Sequence, residues 1–103
     1  MNYLDALADE IRDAVAADAL PDGDTSSLFR TYAVLLLAKG VEVTRGDIHN
    51  AWVAWMLDNG ETHASLVPFS ELSADTQSED SPFVVAVQTV ALRHTRSKPP
   101  RRG

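Results

Sequence analysis

A chain of 103 residues has room for one small domain built around a single core. Its hydrophobic share of 45% and charged share of 23% belong to a folded globular protein and exclude disorder over the whole length. The absence of cysteine excludes disulfides, thiolate metal sites and a cysteine nucleophile, and fits a reducing, cytoplasmic setting.

The formal charge of −6 hides a division. All fifteen Asp and Glu fall at or before Asp80, whereas five of the nine Lys and Arg fall between Arg93 and Arg102. A body that acidic repels a phosphate backbone, so no duplex nucleic acid is expected to bind it. Residues 96–103, with five closely spaced cations beginning just upstream at Arg93 and a Pro-Pro pair, are expected to form a disordered basic tail whose plainest role is solubilising.

In chain order, Leu4, Leu7, Ile11, Ala14, Val15 and Ala19 recur at steps of three or four and predict an amphipathic helix over residues 3–20, stopped by Pro21-Asp22-Gly23-Asp24. Ser26 or Ser27 can cap a second helix that runs through Lys39 and buries Leu28, Tyr32, Leu35 and Leu36, with Gly40 as its stop. Val41-Glu42-Val43 is a link. Thr44 with Asp47 is a capping-box pattern that opens a third helix, from about Arg45 to Asn59, ended by Gly60. Leu66-Val67-Pro68-Phe69 reads as extended, followed by a turn or short helix through Leu72. Ser81-Pro82 opens a last helix to about His94, with Phe83, Val84, Ala86, Val87, Val90 and Ala91 at helical spacing. The longest aliphatic run, Ala33 to Ala38, is far below the roughly 20 residues that span a bilayer, so no membrane partner is expected.

Catalytic machinery is not visible. The three histidines form no His-x-x-x-His pair, no serine sits in a Gly-x-Ser-x-Gly elbow, and the five glycines are isolated, which leaves no phosphate-cradling loop. The sequence therefore predicts no enzyme, no metal and no cofactor. The unusual feature is the pair Trp52 and Trp55 with His49 one turn earlier, all able to share one helix face. Core indoles with a backbone-bonded His49 would explain the same spacing.

The run His49-Asn50-Ala51-Trp52, then Thr62-His63 with Leu66-Val67-Pro68-Phe69, Glu71 and Leu72, then Asp80 and Ala86-Val87-Gln88-Thr89-Val90, resembles the RyR domain, the repeat named for ryanodine receptors. The likeness covers residues 45–94. The family's Gly-Trp-x-Tyr-Gly hairpin between the two motifs is missing here, since Gly60 leads almost directly to Thr62-His63. The resemblance implies a non-catalytic binding module, akin to small phage or mobile-element proteins, in which the residue matching Trp52 stacks an adenine base. His49 and His63 would lie beside it. Apart from the resemblance, Arg45, at the mouth of the third helix beside free N-terminal amides, is the best-placed cation for phosphates, and Trp55 can share the face of Trp52 but has no counterpart in the motif and is expected to behave as core, so that its truncation costs far more stability than that of Trp52. The expectation is therefore an all-α bundle of four or five helices, a single domain over residues 1–95 whose C-terminal half is RyR-like. It would bind a nucleotide or cyclic-dinucleotide ligand. The alternative is a module that docks on a host or virion protein, with a homo-dimer as a way for so small a domain to finish its core.

Overall fold

The computed structural model of the protein describes residues 2–21 and 23–97, the last three by their backbone alone. It is all-α: α1 (Tyr3–Ala14), α2 (Ser26–Lys39), α3 (Arg45–Asp58), the single-turn-and-a-half α4 (Ala74–Ser78) and α5 (Ser81–Ser97), with no strand among the described residues. Three short 3-10 turns, Ala17–Ala19, Gly40–Glu42 and Phe69–Glu71, join them. Among the described residues, no helix is long and apolar enough to cross a membrane.

Helix α2 is the centre, packed against α1, α3 and α5, and α5 closes the bundle by touching α1 and α3 as well. The reason is compositional: Leu28, Phe29, Tyr32, Ala33 and Leu36 give α2 an apolar face wide enough to serve several neighbours. Its aromatic centre is a triangle. Phe29 meets Tyr32 edge-on at 5.2 Å, and Phe83 of α5 lies 5.7 Å from Tyr32 and 6.3 Å from Phe29. Ile11, Ile48, Val87 and Val90 fill the space around it, all fully buried.

The helix ends follow local chemistry. Asn2 caps α1 by accepting from the Asp5 amide at 2.8 Å. The Thr44–Asp47 capping box forms as expected, with the Thr44 hydroxyl accepting from the Asp47 amide at 3.1 Å and the Asp47 carboxylate accepting from the Thr44 amide at 2.9 Å. Gly60, at φ 69°, ends α3 in a Schellman arrangement: the Glu61 amide donates to Met56 and the Gly60 amide to Leu57.

Four expectations are corrected. The first helix stops at Ala14, not near residue 20. The chain turns extended at Val15, which buries that side chain, and the following 3-10 turn swings Ala19 and Leu20 back onto the core. Thr25, not a serine, is the first residue flanking α2, and Asp24 does the capping by accepting from the Ser26 amide at 3.0 Å and the Ser26 hydroxyl at 2.7 Å. Those two bonds hold the Asp24 carboxyl below its ordinary range. A short helix, α4, stands before α5 where none was expected, capped by Ser73 accepting from the Thr76 amide. Finally α5 runs through Ser97, so residues 96 and 97 are helical; the rest of the expected tail lies outside the described residues. Glu10 of α1 meets His94 at 3.1 Å and Arg93 at 3.7 Å, which ties this end of α5 to the bundle.

Candidate functional site

The break after α1 matters because it carries Ala19 and Pro21 to the rim of a cavity of about 440 Å³. The other walls come from α2, α3, the irregular stretch 60–73 and the turn between α4 and α5. Tyr32 and Phe83, both buried, form its floor from the aromatic triangle, Trp52 contributes a wall, and Glu79 and Asp80 supply its carboxylates.

Trp52 is half-buried and held between two imidazoles. His49 is 3% exposed, and its Nε2 donates to the Val67 carbonyl at 2.6 Å. That bond is also the main strap holding the irregular stretch to α3. The His49 ring centre lies 5.7 Å from Trp52 and 6.0 Å from Phe69. On the outer side, the exposed His63 stands edge-on to Trp52 at 5.3 Å and 88°, oriented by the Ser65 amide donating to its Nδ1 at 3.0 Å. A second strap, Gln77 Nε2 donating to the Phe69 carbonyl at 2.9 Å, fixes the chain two residues further on to α4.

The expected site residues are thus partly assembled. His49, Trp52 and His63 line one cavity. Arg45 does not: it is exposed, with its guanidinium 5.9 Å over the Phe69 ring, a cation–π contact one ring removed from the cavity. Trp55, also half-buried and packed on the core, lies outside the cavity lining. Spacing on α3 put all of them on one side, but His49 and Trp52 face the cavity while Trp55, one turn on, packs elsewhere along the core edge.

Two residues that sequence reasoning did not assign to the site complete it. Tyr32, read simply as core, is only 1% exposed, yet it lines the cavity and its hydroxyl has no hydrogen-bond partner among the described residues. Burial pushes its pKa well above the ordinary phenol value, with the negative charge of Asp80 adding to the effect, so it remains a donor. Asp80, read as part of a helix-start charge pattern, is the residue whose carbonyl starts the α5 hydrogen-bond ladder, while its carboxylate accepts no hydrogen bond among the described residues. Burial pushes the Asp80 carboxyl up from 3.8 to about 6; the charges of His49 and Arg45 oppose the rise, and Glu79 assists it. Its signals in the sequence were an acid directly before Ser81-Pro82 and a place in the RyR-like motif, and nothing local joins that acid to Tyr32, 48 positions away.

An ionised Asp80 therefore weakens the fold. Because its folded pKa is raised, the folded state holds the proton more tightly than the unfolded chain, and stability falls as pH climbs from about 4 through 6. Asp80→Asn is expected to raise stability at pH 7.5 by about 1 kcal/mol, a figure reduced for the group's partial solvent exposure, and to change nothing near pH 4. Melting curves of both proteins at the two pH values check this; an equal gain at both would remove the electrostatic cause.

Comparison with curated proteins and with solved structures gives no match. Residues 2–92 match the domain of unknown function DUF7701, and the chain belongs to that family.

Proposed function

We propose that this DUF7701 protein is a non-catalytic binding protein whose cavity takes the planar, nucleobase-type group of a small ligand against the face of Trp52. The observation that carries the reading is one cavity of about 440 Å³, within the ~300–1,000 Å³ of ordinary ligand sites, that joins an oriented indole to the Tyr32 hydroxyl and the Asp80 carboxylate, which have no hydrogen-bond partner among the described residues. An indole face gives a base ~1–3 kcal/mol of stacking. The likeness of residues 45–94 to the RyR domain, whose matching tryptophan is tied to base stacking, supports the same reading.

The chemistry of the lining restricts how a nucleotide would sit. It contains two carboxylates, Asp80 and Glu79, and no Lys or Arg. A phosphate inside would meet like charge without compensation, so the base enters and phosphates stay at the mouth, on the side where Arg45 lies beyond Phe69.

Titration of the full chain with adenosine, guanosine, their 5′-monophosphates and a cyclic dinucleotide, read by tryptophan fluorescence and by calorimetry, tests this. At least one nucleoside is expected to bind, and no more weakly than its monophosphate. If none of these ligands binds at millimolar concentration, the ligand reading fails. Docking on a protein, or on a second copy, then becomes the better account, supported by the exposed aliphatics Val34 and Leu37 on α2 and Val85 and Leu92 on α5.

A further inference from the structure

Resting on that reading, we propose that the cavity selects a base with two adjacent N–H donors beside a carbonyl, the edge that guanine presents, with Asp80 accepting from the two donors and Tyr32 donating to the carbonyl.

A polar group that faces a cavity without a protein partner is paired there only by water or by a ligand. The Tyr32 hydroxyl is such a group: it lines the cavity and donates to nothing among the described residues, and since none of their buried side-chain oxygens is left without a partner, it is open to the cavity rather than sealed. Being protonated and facing an acidic neighbour, it offers a donor. Asp80 offers two carboxylate oxygens, also without donors among the described residues, in the same lining and close enough for its charge to act on Tyr32. The cavity thus offers one donor and the two acceptor oxygens of one carboxylate.

Guanine N1–H and N2–H point in parallel and suit the two oxygens of one carboxylate, while O6, next to N1–H, is an acceptor for a phenol. Adenine offers a carboxylate one N–H at N6 and turns the N1 lone pair toward the second oxygen, which repels it. Sites built on polar pairing reject the analogue that lacks the group far better than apolar pockets do. The lack of cationic side chains in the lining fits the same class, because the part of the ligand that enters is rich in donors and carries no anion.

The test compares guanosine, inosine and adenosine by calorimetry at pH 7.5 on the native protein, Asp80→Asn and Tyr32→Phe. Inosine keeps N1–H and O6 but lacks the N2 amine. The native protein is expected to bind guanosine at least ~10-fold tighter than adenosine, with inosine between them. Asp80→Asn is expected to lose that preference or reverse it, since an amide presents one donor and one acceptor and suits the adenine edge. Tyr32→Phe is expected to weaken guanosine and inosine and leave adenosine nearly unchanged. A general loss of folding would weaken all three ligands together, and melting curves of each variant identify it. Adenosine binding as tightly as guanosine to the native protein overturns the proposal while the ligand reading stands. Failure of every nucleoside overturns both.

Discussion

Phe29→Ala is expected to remove about 3–5 kcal/mol of stability, the largest effect of any single truncation in this fold. Phe29 is 1% exposed and stands edge-on to Tyr32 at 5.2 Å and tilted to Phe83 at 6.3 Å, so the substitution opens a void at the centre of the aromatic triangle. The surrounding helices cannot close on it, because α2 is already packed against three others. Small domains have about 5–15 kcal/mol in total, so between about a fifth and all of the margin is lost. A fall in melting temperature well above ~10 °C follows for a chain of this size. Urea denaturation measures the change directly, and a loss below about 1 kcal/mol would mean that the triangle is not the centre of the core. The same variant is expected to bind nucleosides poorly even where it remains folded, since Tyr32 and Phe83 are the cavity floor that Phe29 supports.

The second large effect separates two tryptophans that local spacing treats alike. Trp52 and Trp55 are both half-buried and both packed against the core. Trp52→Ala and Trp55→Ala are therefore expected to destabilise by similar amounts, about 1–3 kcal/mol, rather than Trp55 by far the more. Binding tells them apart. Trp52 is a cavity wall, and removing its stacking face is expected to cost ~10- to 100-fold in nucleoside affinity, whereas Trp55 lies outside the lining and its variant should bind as the native protein does once folded. Denaturation and one calorimetric titration per variant decide the matter, and equal loss of binding in both would take the ligand off Trp52.

What was legible in the sequence was what local periodicity encodes. Steps of three and four predict the all-α class and the four long helices, Thr44 with Asp47 predicts the start of α3, and Gly60 predicts its end. The misreadings lie where tertiary contacts override local preference. The segment from Ala14 to Ala19 is alanine-rich and favours helix, yet burying Val15 and returning Leu20 to the core outweigh the turn of helix that is given up. Of the site, His49, Trp52 and His63 could be picked out because they are rare residues in a resembling motif. Tyr32 could not, because a tyrosine on a buried face looks like any other core aromatic until a carboxylate from 48 positions away is set beside it.

The outer wall of the cavity, residues 60–73, contributes no fully buried side chain and is strapped at two points, by His49 to Val67 and by Gln77 to Phe69. Such a wall is free to diverge. Insertions or deletions in residues 61–66, ahead of the straps, are expected to leave the four long helices and their core undisturbed, so the frame can stay intact while what closes over the cavity changes. The helical frame is then the slowly changing part of the lineage, and the wall is where new ligand preferences can arise without first surviving a loss of stability.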